Sequence, residues 1–427
     1  MPFLIGPMSK KIRSEKHLTE HSEVLYHNPE IIALPLTTGA QEGKPLVQVG
    51  DHVKLGQMVG LRDDRFYVPF FSPVSGEVIG FEKRMSARLK PCDHVIIKND
   101  FKDEPEYLEN VIDENASKEE IIDFMKRIGL LGQGGAGFPA YIKYNTDKCE
   151  CLIINAVECE PYLTADMLNI ETHYDEFLLG VRMMFKASGA KECKIGIKKY
   201  HTEMIKKLNE LFKDDEKINV CPVRDVYPMG WERTLVFELM KKRYGMLPIE
   251  AGAIVSNATS AITLAEAMMT KLPMHKRIVT VSGEQLNEPH NIICPLGTSI
   301  HDLLELCGGC KCENVNILMG GPMMGTCVTK DEVCINTITN GVTIYKHKEI
   351  EAMPCLRCGR CVEHCPSSLE PVSIKEAFKI NDVDRLEHLH VMDCVECGMC
   401  TYICPSKIEV TEEVRRAKRF YGLRRKK

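Results

Sequence analysis

The sequence predicts a multidomain α/β protein, and three observations carry that reading. Short strand patterns separated by glycine turns fill the first hundred residues. Strand and helix patterns then alternate from Cys151 to Gly245. Near the C-terminus, eight of the 20 cysteines fall into two segments of identical spacing. At 427 residues and 44% hydrophobic composition, the chain is long enough for several separate cores.

The N-terminal strands come first. "PLVQVGDHVKLGQMVG" begins at Pro45 and "FFSPVSGEVIGF" at Phe70, with turns at Gly50, Asp51, Gly56, Ser75 and Gly76. Over residues 1–105 this pattern resembles the barrel-sandwich hybrid of biotinyl and lipoyl carrier domains. Those carriers present a modifiable lysine on a hairpin between their two halves. Here no lysine lies between Lys54 and Lys83, so a structural or docking role is expected instead of a swinging arm.

The central region, 115–275, opens with "SKEEIIDFMKRIGLLGQGGAGFPAYIK". Ser117 with Glu120 forms a capping-box signature, and Ile121, Phe124, Met125 and Ile128 recur at helical spacing. Gly132, Gly134 and Gly137 fit G-x-G-x-x-G, but that fingerprint needs a strand before it. A helix precedes it here, so a Rossmann turn is not expected. No G-K-[ST] follows, so neither is a P-loop.

Beyond this loop, "CLIINA", "CKIGIK" and "KINVCPV" read as strands. "MLNIETHYDEFLLGVRMMFKASG" reads as one helix ending near Gly189, and "WERTLVFELMKKRYG" as a helix stopped by Gly245. Such alternation predicts a mostly parallel sheet, whose ligands bind beyond the strand C-terminal ends. "NAVECEPYLTAD" leaves the first strand at that edge, carrying Asn155, Glu158, Glu160 and Asp166. Taken alone, these acids suit either a ligand site or a solvated loop.

"CLRCGRCVEHCP" and "CVECGMCTYICP" both read C-x2-C-x2-C-x3-C-P. Three cysteines at this spacing wrap one cubane, and the fourth ligates the other cluster. The expected ligands of one [4Fe–4S] cluster are therefore Cys355, Cys358, Cys361 and Cys404. Cys394, Cys397, Cys400 and Cys365 would hold the second. Zinc knuckles use paired C-x2-C and have no role for the third cysteine. Gly359 and Gly398 let the backbone turn close to the sulfurs. Most of the other cysteines read as small buried hydrophobes. "CGGCKC", with Cys307, Cys310 and Cys312, lacks a clear fourth metal ligand.

Net charge is −5, which gives no global basic field for nucleic acid. The basic end "RRAKRFYGLRRKK" suits a solvated helix tail or a contact with an acidic partner or anionic membrane. No apolar run is long enough to span a bilayer. The N-terminal "MPFLIGPMSKKIRSEK" has its charges after its apolar residues, the wrong order for a secretory signal. A cytoplasmic protein is expected.

In order along the chain, "GLLGQGGAGFPAYIK", "NAVECEPYLTAD", "YPMGWERTL", "VSNATSAITLAEAM", "ILMGGPMMG" and the two cysteine segments resemble the RnfC family, from the Rnf ferredoxin:NAD⁺ oxidoreductase complex. The flavin-carrying subunit of respiratory complex I is a more distant likeness. This resemblance spans nearly the whole chain. It implies FMN and two [4Fe–4S] clusters as cofactors and NADH as substrate. Gly132, Gly134, Gly135, Ala136, Gly137 and Phe138 would line FMN, with Lys143 nearby. Asn155, Glu158 and Glu160 would take strand-end positions at flavin and nicotinamide. Tyr227, Gly230 and Glu232 would match a tyrosine-glycine-glutamate segment, and Asn257 and Ser260 a polar pair near the flavin phosphate. Implied partners are membrane Rnf-type subunits, with ferredoxin a further candidate, and the chain would be peripheral on the inner face of the cell membrane. A soluble relative serving a dedicated reductase, for cobalamin or proline, is the alternative.

"RIVTVSGEQLNEPHNIICPLGTSIHDLLELCGG", within 276–345, resembles the family's soluble-ligand-binding β-grasp domain, and 346–427 its two-cluster ferredoxin-like module. Two departures stand out. "LTTGAQEG" replaces the family's "QHIGAP". Trp231, the only tryptophan, stands where glycine or alanine is usual, either filling space or stacking on a ring.

Overall fold

The computed structural model describes residues 10–37 and 42–425. The first nine residues, the middle half of the "LTTGAQEG" departure and the last two lysines of the basic end lie outside the described residues.

Two small antiparallel sheets form the N-terminal β domain. One runs in the order Ile31–Pro35, Pro91–Asn99, Gly76–Met85, His52–Val53, and the other Lys44–Pro45, Met58–Asp63, Tyr67–Phe71. Alternating residues such as Ile32, Leu34, Val59, Val68, Val95 and Ile97 turn inward between them. The tip joining Met58–Asp63 to Tyr67–Phe71 stands where carrier domains bear their lysine. Here it carries Phe66, whose ring meets Phe138 edge-on at 5.4 Å. The tip is thus docked on the glycine loop.

The central sheet is wholly parallel, in the order Ile218–Val223, Glu192–Lys198, Cys151–Ala156, Ala253–Asn257. The capping box of Lys118–Arg127 forms in both directions: Ser117 Oγ accepts from the Glu120 amide and Glu120 accepts from the Ser117 amide. Helices Tyr174–Ser188 and Ala258–Thr270 cross on one face of the sheet. A Cβ at Gly180 would lie 1.9 Å from the Ala261 carbonyl oxygen, so only glycine permits this crossing.

Two helices differ from expectation. The segment read as one helix is two, Ala165–Thr172 and Tyr174–Ser188. The His173 ring donates from Nδ1 to the Asn169 carbonyl at 3.1 Å, taking the acceptor that the His173 amide would use in a continuous helix. The helix expected to reach Gly245 is only Glu232–Met240. Lys241 adopts φ 56, and the Glu250 carboxylate draws the chain away by accepting the amides of Gly245 at 2.9 Å and Leu247 at 3.0 Å.

The β-grasp domain has a six-stranded sheet: Val24–Tyr26, His290–Pro295, Lys276–Ser282, Gly341–Lys346, Val315–Met319, Thr326–Val328. Its first strand comes from the N-terminus and pairs in parallel with His290–Pro295. Residues 10–26 therefore form a strap that crosses the α/β domain before joining the β-grasp sheet. At the C-terminus, helices Pro371–Lys379, Val383–His388 and Val410–Arg424 enclose a core of Ile374, Leu386, Val391, Val414 and Ala417. The basic end is part of the last of these helices, and its Arg415 and Lys418 both pair with Glu396.

Candidate flavin cradle and iron–sulfur module

The glycine loop is held from behind and open in front. The Gly132 amide donates to the Phe138 carbonyl at 2.9 Å, closing the loop. Ser260 Oγ accepts from the Gln133 amide at 3.1 Å and donates to the Leu131 carbonyl at 3.0 Å. The Gln133 side chain turns inward and donates to Thr263 at 3.1 Å. Gly134, Gly135 and Ala136 are consequently exposed. A Cβ on Gly134 would stand 2.7 Å from Asn257 Nδ2, whereas one on Gly135 would meet open space. Gly137 needs φ 68, which favours glycine. A ledge of backbone amides without side chains is what a phosphate or flavin edge requires.

Three sets of hydrogen bonds fix the residues around the loop. Asn257 caps helix Ala258–Thr270 by accepting from the Thr259 amide at 2.7 Å, and donates to Asp166 at 2.9 Å. Lys143 donates to the Val255 carbonyl at 2.7 Å and faces Glu232 at 3.4 Å. Asn155 donates to the Gly230 carbonyl at 2.8 Å. These strand-end residues converge because three parallel strands end at one edge.

The strap buries Glu158, and the β-grasp domain half-buries Glu160. Glu158 accepts from the Asp166 amide at 2.8 Å and pairs with Lys16 at 3.2 Å. Lys16 also donates to the Leu163 carbonyl. Lys16 gave no sequence signal, yet it supplies the only cation beside Glu158 among the described residues. Glu160 accepts from the Met323 amide at 3.1 Å through Oε2, while its buried Oε1 has no partner. Burial is the main cause that raises both carboxyls to about 7, and Lys16 opposes it at Glu158.

This has a measurable consequence. A carboxyl raised from 4.5 to about 7 binds its proton more tightly when folded. Its contribution is therefore present below pH 4.5 and is lost as pH rises through 7. Half-buried His201, held down to about 4, acts in the opposite direction, so the informative quantity is a difference. Between pH 5 and pH 8 the wild type is expected to lose on the order of 3 kcal/mol relative to Glu160→Gln. Thermal unfolding of both proteins across that range checks it, and parallel curves would refute the shifted carboxyl.

Tyr227 and Trp231 meet the C-terminal module. The Tyr227 hydroxyl donates to the Cys397 carbonyl at 2.6 Å. Trp231 packs with Tyr227, Val395, Cys397 and Met399, and its buried Nε1 has no partner. A cavity of about 180 Å³ beside this seam is lined by Lys11, Cys159, Lys198, Tyr200, Asp225 and Tyr227.

In the C-terminal module, Gly359 and Gly398 adopt φ 74 and 80 at the two cysteine turns. The Arg357, Leu369 and Glu396 amides donate to the Cys355, Cys365 and Cys394 sulfurs, each at 3.4 Å. Burial and then neighbouring thiolates push Cys365 up to about 11 and Cys400 up to about 12. Cys394 is among the thiolates near both, and Cys365, Cys394 and Cys400 all lie near Cys397. Ligation to iron would offset that crowding, because a metal ion holds thiols deprotonated. Cys355 and Cys358 are exposed and Cys397 is buried. Cys307 is buried in the β-grasp core, and Cys312 bonds Gln285 at 3.3 Å.

An amide ledge of the kind a flavin needs, in a domain packed against a two-turn cysteine module, points to a flavo-iron–sulfur electron-transfer protein. Comparison with known proteins gives the family. The chain matches the models described as RnfC barrel sandwich hybrid domain over 9–102, Nuo51 FMN-binding domain over 125–266, SLBB domain over 278–326 and 4Fe-4S dicluster domain over 347–405. It is 33% identical to the C subunit of the Na⁺-translocating ferredoxin:NAD⁺ oxidoreductase complex of Acetobacterium woodii, covering 84% of each chain. It is 31% identical to the C subunit of the proton-translocating ferredoxin:NAD⁺ oxidoreductase complex of Clostridium ljungdahlii, covering 77% of this chain and 74% of that one. The C subunit of the ion-translocating oxidoreductase complex of Rhodobacter capsulatus is 32% identical over 87% of this chain and 74% of its own. In fold, a chain of the NAD⁺-reducing [NiFe]-hydrogenase in its H2-reduced state superposes with a TM-score of 0.50 at 15% identity. That match covers 72% of this chain and 61% of the hydrogenase chain. The chain belongs to the RnfC family, the C subunits of ion-translocating oxidoreductase complexes, and carries FMN-binding and [4Fe–4S] dicluster domains. Among the described residues no helix is long and apolar enough to cross a membrane.

Proposed function

We propose that this chain is the redox subunit of an ion-translocating electron transport complex, an NADH-dependent oxidoreductase passing electrons between NADH and ferredoxin or membrane partners. The observation that carries this reading is the seam where Tyr227 and Trp231, from the α/β domain, pack on Val395, Cys397 and Met399 of the second cysteine turn. Electron transfer needs its carriers close together, and this seam brings the two cofactor domains into direct contact.

The exposed amides of Gly134, Gly135 and Ala136 would hold the flavin, with Gly132 and Gly137 shaping the loop and Phe138 covering its rim. Asn257 and Ser260 keep that loop in place, and Lys143, Asn155, Glu158, Gly230 and Glu232 border it at the strand ends. Cys355, Cys358, Cys361 and Cys404 would hold one cluster; Cys365, Cys394, Cys397 and Cys400 would hold the other. A bound flavin accepts a hydride and releases electrons singly, as iron–sulfur clusters require. The protein's own contribution at the ledge is to bind and orient the group through backbone amides. The chain would sit peripherally on the inner face of the cell membrane, against membrane subunits.

Anaerobic purification, absorbance and an NADH assay with an artificial acceptor test the reading. A flavin and iron–sulfur spectrum bleached by NADH is expected. A protein that binds no FMN after reconstitution would overturn it.

A further inference from the structure

The second cysteine turn is gripped from two sides by residues that no cluster ligand set includes. From the α/β domain, the Tyr227 hydroxyl donates to the Cys397 carbonyl at 2.6 Å, with the whole bond buried. From the β-grasp domain, Met323 presses on the next residue: a Cβ on Gly398 would lie 2.4 Å from the Met323 carbonyl oxygen. Met323 is itself held, because its amide donates to Glu160 at 3.1 Å. Three segments far apart in sequence therefore meet at one peptide, Cys397–Gly398.

That peptide is a sensitive place. In the same turn the Glu396 amide donates to the Cys394 sulfur at 3.4 Å. Hydrogen bonds to ligand sulfurs and solvent exposure are among the factors that set an iron–sulfur cluster's reduction potential. Fixing the Cys397 carbonyl fixes the orientation of the turn that delivers the amide. The same contact keeps the turn sealed under Tyr227 and Trp231, away from water. The first turn has no such cover, since Cys355 and Cys358 are exposed.

We infer that Tyr227 and Met323 form a clamp that positions the second [4Fe–4S] cluster against the α/β domain and sets its reduction potential, with Tyr227 a positioning residue for that cluster and not a flavin ligand. This rests on the reading that Cys397 is a cluster ligand.

The test is redox titration followed by electron paramagnetic resonance of the complete, cluster-loaded protein as wild type and Tyr227→Phe. Phenylalanine keeps the ring in the seam and removes only the donor. The midpoint potential and line shape of one cluster should shift, while the other cluster and the FMN content stay at wild-type values. Gly398→Ala pushes on the same peptide from the Met323 side and should move the same cluster, which keeps the test decisive if Tyr227→Phe folds poorly. Unchanged potentials and spectra of both clusters would overturn the clamp. So would loss of FMN from Tyr227→Phe with both clusters unaltered, since that returns Tyr227 to the flavin. Failure of the underlying ligand reading is separate: it would leave the iron content of Cys397→Ala at the wild-type level.

Discussion

A Cys397→Ala protein is expected to lose one [4Fe–4S] cluster and keep its flavin. Cys397 is buried, with Cys400, Cys365 and Cys394 as its thiolate neighbours, and a cubane needs four thiolates. Alanine leaves the site one ligand short with no spare thiol from the first turn to replace it, because Cys355 and Cys358 are exposed on the module's other turn. The glycine loop is held by Ser260, Thr263 and the Phe138 carbonyl, none of which touches Cys397. Iron and sulfide per chain should fall by about one cluster of the two, with FMN per chain unchanged. Wild-type iron content would show that the assignment of Cys397 is wrong.

Gly135→Val should weaken flavin binding markedly without harming the fold. Gly135 has no positive φ and an added Cβ there meets nothing within 4 Å, so the folded chain accommodates valine. The space it fills is the ledge where the flavin would lie. Forcing a side chain into a packed contact costs about 1–3 kcal/mol or more, which lowers affinity roughly tenfold to hundredfold. Gly134→Val is the contrasting case. Its Cβ would crowd Asn257, the cap of helix Ala258–Thr270, so it should lower both stability and flavin affinity. Equilibrium FMN binding and thermal unfolding of the two variants separate these effects. If Gly135→Val binds FMN like the wild type, the ledge is not the flavin site.

Much of this architecture was legible in the sequence. The capping box at Ser117, the helical spacing through Ile128 and the strand at Cys151–Ala156 are local features, and their periodicity survives in the fold. So does the rejection of a Rossmann turn, which needed only the helix before Gly132. The helix breaks at His173 and Lys241 were not legible. They depend on one imidazole taking a carbonyl and on one carboxylate, Glu250, collecting amides, and neither disturbs the apolar pattern. The N-terminal strap was missed because three residues, Val24–Tyr26, joined a sheet otherwise built some 250 residues later.

The division has a physical basis. The cysteine spacing by itself determined the iron–sulfur chemistry, since a cubane is wrapped by residues within one turn of chain and bond lengths leave few alternatives. The run of glycines likewise determined that backbone would be bared at one loop. Only the tertiary structure decided what those groups face. Lys16 reaches Glu158 across 142 residues and Tyr227 reaches Cys397 across 170. Such contacts join residues with no fixed sequence offset and leave no periodic trace, so they exist only once burial has brought the domains together.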